Sequence, residues 1–223
     1  VFSLMAIVLA FQGFSLIQNK VDEYESAVKR QNGGIYNLKI SQIMRLTAQH
    51  LGQLARYLNG DQTAKPNIIE LEQKLEILYK DFLESNETLG NQLEVFERSK
   101  DIYREWEDLR KINLTITPRE SFVKHVNLIQ HMIDLNNTVG ETSELFLDPD
   151  KDSYFMIDAS LNKIPYLAEK MGQLRATVSG YLAKGLNANE SERILMLELI
   201  GRVESYAEGL NLAIHFVSKF NPE

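Results

Sequence analysis

Leu147-Asp148-Pro149-Asp150-Lys151-Asp152-Ser153-Tyr154 decides the fold, because it closes one long helical pattern and opens another. Asp148 is a residue type that caps helices, and Pro149 suits a first helical position. Asp150 and Asp152 set negative charge where a helix dipole is positive. The stretch therefore predicts a helix start that reverses the chain. Three aspartates at alternate positions also resemble the opening of a calcium loop. Such a loop needs Gly at its sixth position and Glu at its twelfth, where this chain has Ser153 and Ala159.

Downstream, Tyr154, Ile157, Leu161, Ile164, Ala168, Met171, Arg175 and Val178 recur at helical spacing, with Pro165 predicted to bend the helix by removing one backbone bond. Gly180 and Gly185 end this pattern. Asn187 or Asn189 then caps a final helix on Met196, Leu199, Val203, Tyr206, Leu210, Ala213, Val217 and Phe220. Upstream, Thr117-Pro118-Arg119-Glu120 is a capping box with Pro at the first helical position, followed by Phe122, Val126, Ile129 and Ile133. That seam turns polar at Asn136 and Asn137, so the helix either frays to the surface or lines a pocket.

Before it, one apolar series runs Ile68, Leu71, Leu75, Leu78, Phe82, Leu89, Leu93, Phe96, Tyr103, Trp106 and predicts a single helix of about 45 residues. Ser85-Asn86 interrupts it as a wet layer or as a junction between stacked bundles. A turn at Asn59-Gly60-Asp61 and Pro66 separates it from a heptad seam on Ile40, Met44, Thr47, Leu51, Leu54 and Leu58, entered through a flexible Gly33-Gly34 pair. The fold expected is all-α: an elongated antiparallel bundle, four-helix-bundle-like or two bundles stacked along shared helices. Five helices in alternation would end far from where they began, which predicts a sixth helix and a second membrane span beyond residue 223.

Residues 1–19 carry no charge and read FSLMAIVLAFQGFSLI through the middle, near the ~20 residues a spanning helix needs. With no initiating Met, basic start or small-residue cleavage site, they read as a transmembrane helix truncated at its N-terminal flank rather than as a signal segment. Residues 20–223 then form a helical domain, incomplete at its C-terminus. Charge bias does not orient the span, since Lys20, Lys29 and Arg30 all lie downstream. A net charge of -7 with no basic run longer than two argues against nucleic acid, and the absence of Cys removes thiol chemistry and disulfides.

Catalytic chemistry finds no anchor. No P-loop, G-x-G-x-x-G, G-x-S-x-G, H-E-x-x-H or C-x-x-C-H occurs. None of His50, His125, His131 and His215 follows a Glu by three residues, which removes the helical di-iron pattern. His125 and His131 project about 240° apart on a helix and cannot share an ion. No enzyme, cofactor or metal is expected.

Gln49-His50-Leu51-Gly52-Gln53-Leu54-Ala55-Arg56-Tyr57-Leu58-Asn59-Gly60-Asp61 resembles a "Q-H-R-G-L-S-A…L-x-G-D" motif, with Leu51 where that motif has Arg. LDPDKDSYFMIDASLNKIPYLAEKMGQLRA resembles "L-D-P-D-x-D-S-Y-Y-L-M…L-P-x-L…L-G-x-L-R". Both occur in the all-helical extracytoplasmic sensor regions of bacterial membrane signalling proteins, chiefly methyl-accepting chemotaxis proteins, with histidine kinases and diguanylate cyclases sharing them. The resemblance runs over roughly residues 1–185 in order and spacing. It implies a periplasmic or otherwise external sensor on the cytoplasmic membrane, working as a homodimer, with its output module beyond residue 223.

The expected action is binding of a small solute between helices, with a helix shift of ~1–2 Å carried across the membrane. Capture of a periplasmic binding protein, or a structural dimerisation stalk, are the alternatives. For an organic acid or other anion, Arg175 is the best-placed guanidinium. His50, Arg56 and Tyr57 on the first helix, Asn136 and Asn137 on the third and Tyr154 on the fourth are the polar groups expected to converge with it.

Overall fold

Helix α1, Phe2–Leu58, runs without a break through 57 residues, a rod of ~85 Å at the helical rise of 1.5 Å per residue. In this computed structural model, residues 2–183 and 189–221 are described, with side chains for 9–182 and 189–221. The seam expected on α1 is the one it buries: Ile40, Met44, Thr47, Leu51 and Leu54 all lie in the interior. The Gly33-Gly34 pair is helical, not a flexible joint. Gly33 is buried because Ser143 and Leu145 press against it, in the space a Cβ would need.

The chain turns at Gly60, whose φ of 108° is left-handed, and returns as α2, Lys65–Leu89. The single long helix expected next is in fact two. At Gly90 the chain leaves the helix, Glu94 takes a left-handed φ of 58°, and α3, Phe96–Ile112, runs back along α2. The apolar spacing hides the break because the turn is itself apolar: Leu93 and Val95 are 0% and 1% exposed and plug the bundle end. Asn86, the residue that interrupted the seam, fastens this reversal. It accepts the Tyr36 hydroxyl at 2.7 Å and donates to the Phe96 carbonyl at 2.9 Å, while Tyr36 also meets Ser99 at 2.7 Å.

Helix α4, Pro118–Thr142, begins at the expected capping box, with Thr117 and Glu120 each satisfying the other's backbone N–H. It runs antiparallel to α3, since His131 meets Glu105 midway along both helices and Thr142, at the end of α4, meets the Leu93 carbonyl just before α3 begins. Helices α1 to α4 thus form an up-and-down four-helix bundle around Tyr36, Tyr79, Phe82, Trp106, Met132 and Ile133.

Asp148 does not cap the next helix. Its carboxylate accepts the Asp150 N–H at 3.0 Å and lies 3.8 Å from Arg30, and α5, Lys151–Asp158, starts two residues later than expected. A π turn, Ala159–Lys163, joins α5 to α6, Ile164–Ala183. Pro165 accounts for it: with no N–H, it cannot bond the Leu161 carbonyl, and the Ile164 N–H reaches back five residues to Ala159 instead. The Leu161 carbonyl is met by the Asn136 amide at 3.5 Å.

The extra residue rotates everything after it by ~100°. The seam expected on Ile164, Ala168, Met171, Arg175 and Val178 therefore faces solvent, with Ile164 48% and Met171 53% exposed. Pro165, Glu169, Gly172 and Ala176, each one residue later, are buried in its place, and Gln173 with them.

Residues Gly185 and Asn187, expected at the next turn, lie outside the described residues. Asn189 caps α7, Glu190–Phe220, in a second reciprocal box with Glu192. Of the expected α7 seam, Leu199 and Ala213 are buried and Phe220 is exposed. The stacked rings of Tyr166 and Tyr206, and of Phe155 and Phe216, set α7 antiparallel to the α5–α6 rod.

Counting α5 and α6 as one kinked rod, the described residues hold six helices rather than five, and no strand. An even count brings α7 back to the level where Arg30 meets Asp148, so the parity argument for a further helix loses its basis. The second unit is not stacked end to end on the first. It lies alongside, with Gly172 against Ala48 and Gly180 against Asn59. Among the described residues no helix is long and apolar enough to cross a membrane. Residues 1–8 of the expected span 1–19 fall outside those whose side chains are described.

Candidate functional site

The expected site residues do not converge. Arg56 closes the turn after α1, donating to Asp61 at 2.9 and 2.6 Å and to Gln53 at 3.2 Å. Thr63 and then Arg56 hold the Asp61 carboxyl below its usual range. Tyr57 is half-buried beside it. Arg175, on the solvent-facing stripe of α6, lies over Gly52 and donates to the Ala48 carbonyl at 3.0 Å. It fastens α6 to α1, and Gly52 leaves room for the guanidinium, which would stand 3.2 Å from a Cβ there.

Asn136 and Asn137 sit lower, against the π turn and the Tyr166 hydroxyl, 3.4 Å from Asn137. The polar end of α4 thus neither frays nor opens a pocket. It meets the carbonyl that Pro165 leaves unbonded. Tyr154 borders a groove of about 380 Å³ with Phe155, Phe216 and Phe220. A cation already occupies that aromatic surface, for the Lys151 ammonium lies 5.3 Å from the Phe220 ring centroid.

His50 has the richest surroundings, and the sequence did not reveal them. It is 0% exposed, and its Nδ1 lies 2.8 Å from Nε2 of His125, also 0% exposed. The Nδ1–H of His125 donates to the Ser121 carbonyl at 2.7 Å, which leaves Nε2 of His125 to accept the His50 proton. On its other side, His50 Nε2 faces Glu72 at 3.4 Å and the Asn113 amide at 3.5 Å, and Asn113 donates to Glu72 at 2.6 Å. Trp106 closes the cluster edge-on, 5.2 Å from the His50 ring.

Burial, followed by the neighbouring His50, pushes His125 down to about 3. Burial works to raise Glu72, but bonds from His50 and Asn113 outweigh it and hold the carboxyl below its ordinary value. A charge on His125 has no acidic partner to balance it. This chain of groups ties α1, α2, α4 and the residue after α3 together at one level, with the two imidazoles sealed from solvent and Glu72 at its half-buried end. Among the described residues no cluster of His, Asp and Glu could hold a metal ion.

Toward the end of α1 beyond His50, α1, α4, α6 and α7 meet around a cleft of about 580 Å³. Asn59 ends α1, Arg119 and Phe122 stand in the first turns of α4, Thr177 and Tyr181 come from α6, and Leu195 comes from α7. Arg119 is exposed. Tyr181 is 7% exposed, and its hydroxyl is buried without a hydrogen bond, an arrangement that costs ~1–3 kcal/mol. Burial, with Glu192 adding to it, raises that phenol above its ordinary value and keeps it a donor.

Sequence reasoning missed Arg119 and Tyr181 because a cap residue and the last turn of a helix give no periodic signal. No family profile, curated protein or solved structure matches the chain.

Proposed function

We propose that this chain is the extracytoplasmic sensor region of a bacterial transmembrane signal transducer of the chemotaxis-receptor kind, with residues 1–19 in the cytoplasmic membrane and the bundle outside the cell or in the periplasm. The observation that carries the reading is helix α1. One unbroken helix holds a solvent-facing apolar collar, with Phe11 72% and Ile17 67% exposed, and then becomes the element on which α2, α4 and α6 all pack. A shift of α1 against α6 or α4 reaches the collar without crossing a hinge, and ~1–2 Å is the displacement such devices use. An exposed apolar collar on a helix is what a lipid-facing or partner-facing segment presents.

The resemblance of residues 49–61 and 147–176 to sensor regions supports the same reading, and homodimerisation belongs to it. The chain has no Cys, which makes the test direct. A single cysteine at Gln92 in membrane-embedded receptor should react with an impermeant maleimide from outside intact spheroplasts. Labelling only after lysis would overturn the orientation. Fused to the signalling half of a chemotaxis receptor, the chain should confer a ligand-dependent output, and an output blind to every solute and extract tried would count against sensing. Disulfide cross-linking between copies carrying one cysteine at Leu16 or Met171 tests the dimer.

A further inference from the structure

Helix α1 carries two seams, and its own bundle covers one of them. Tyr36, Ile40, Ile43 and Thr47 face inward. On the opposite side Phe14, Ile17, Val21, Tyr24, Val28, Gln31, Ile35 and Leu38 follow one another in steps of three and four without a break. All are exposed except Val28, which is half-buried, and Tyr24 and Leu38 stand 71% and 60% open to solvent. A strict stripe at these steps is the seam of a helix wound on another helix. Lipid could cover Phe14 and Ile17 in the apolar stretch 1–19. It does not reach the rest, since the helix rises about 28 Å from residue 19 to Leu38.

The composition of the seam says which helix covers it. Written as a heptad abcdefg, the a positions are Phe14, Val21, Val28 and Ile35, and the d positions are Ile17, Tyr24, Gln31 and Leu38. β-branched residues at a favour two parallel strands. In such a pair, each g position meets the e position five residues on in the other strand. In a pair of identical strands this sets Gly13 beside Gln18, Lys20 beside Glu25, Ala27 beside Asn32 and Gly34 beside Lys39. Charge meets charge at Lys20 and Glu25 alone, with opposite signs, and the contact forms twice. Nothing lies within 4 Å of where a Cβ would stand at Gly13 or Gly34, so this flank is open to a neighbour.

The seam also has a defined end. Gln42 and Arg45 continue the same line, two copies of Arg45 would repel, and further on α6 covers the line at Gly52. Over residues 21–38 each copy offers six side chains, so ~80 Å² from each reaches the ~1,000 Å² that a specific interface needs.

We infer that two copies of this chain pair through α1, parallel and in register, as a two-stranded coiled coil over residues 14–38. The inference rests on the homodimer of the sensor reading and gives it a face, a register and a charge pair. The two bundles then lie on opposite outer sides of the coil, and each α1 that carries a shift does so against its twin.

Single cysteines report the face directly, since the chain has none of its own. In membranes of expressing cells under a mild oxidant, a cysteine at Val21, Tyr24, Val28 or Leu38 should form the disulfide between copies at least tenfold faster than one at Asp22, Glu23 or Ser26, on the b, c and f positions. Lys20→Glu should slow the Tyr24→Cys disulfide about two- to fivefold, and adding Glu25→Lys should restore it. In detergent, Val21→Asp with Ile35→Asp should leave the far-ultraviolet circular dichroism unchanged and weaken dimerisation, read by analytical ultracentrifugation, at least tenfold.

Equal rates at all these positions, or a Lys20→Glu loss that Glu25→Lys fails to repair, overturns the inference. A fast disulfide at Met171 with a silent α1 seam keeps the dimer and overturns this face. Silence at every position, Met171 included, overturns the dimer as well. Maleimide labelling at Gln92 and the output of the fused receptor then still test the sensor reading by themselves.

Discussion

His125 should make this bundle lose stability on mild acidification, above the range in which ordinary exposed carboxylates take up protons. The ring is fully buried and held down to about 3 in the folded chain, against an ordinary value of 6.5. Below pH 6.5 the unfolded chain takes up a proton at this residue and the folded chain does not. Stability is therefore fully present above 6.5 and falls by ~1.4 kcal/mol per pH unit as the pH drops toward the folded value. From pH 6.5 to 4.5 the loss is about 2 kcal/mol, a large part of the roughly 5–15 kcal/mol typical of a folded domain.

The window can be isolated. Glu72 lies below its ordinary 4.5, so its own contribution is present above that value and is lost only as the pH falls further. Urea unfolding at pH 6.5, 5.5 and 4.5, on the wild-type chain and on His125→Gln, measures the slope. The variant should start lower, because it breaks the bond to His50, and should lose about one proton's worth of slope. Parallel slopes in the two proteins would refute the burial argument, whatever the absolute stabilities.

Three further outcomes follow from the packing. Asn86→Ala removes the acceptor for Tyr36 and the donor for the Phe96 carbonyl, and should cost ~2–4 kcal/mol in urea unfolding, at about 1–3 for each buried group left unpaired. Leu75→Ala, at a position 0% exposed, should cost ~2–5 kcal/mol, and a loss under about 0.5 would mean that α2 faces another way. Gly52→Ala should displace the Arg175 guanidinium and cost ~1 kcal/mol by itself, yet almost nothing in an Arg175→Ala background, a non-additivity that a double-mutant cycle reads directly.

The sequence revealed those features in which a residue's neighbours along the chain determine its place. The α1 seam and the Thr117 box are of this kind, since a heptad stripe and a reciprocal cap involve nothing beyond one helix. The reversal at Gly90 escaped because apolar plugs at Leu93 and Val95 preserve the periodicity through a turn. The face of α6 was misread because Pro165 announces a bend but not the direction in which the extra residue turns the helix. The pairing of His50 with His125 depends on the register between α1 and α4, 75 residues apart in sequence, and no spacing within either helix encodes it.

The π turn also shapes how this sequence can diversify. Elsewhere in a packed helix, a one-residue insertion or deletion scrambles every contact beyond it. At Ala159–Lys163 the surplus residue is already housed in the wide turn, so losing it closes that turn and leaves α6 facing as it does, with the flanking loops unchanged. Pro165, Glu169, Gly172 and Ala176 would each move back one place in the count and remain the inward face. Lineages that gain or lose one codon here would keep the same elements in the same order and present the same side of α6 to the outside. An alignment gap at this point marks a wide turn gained or lost, not an exchange of surface for core.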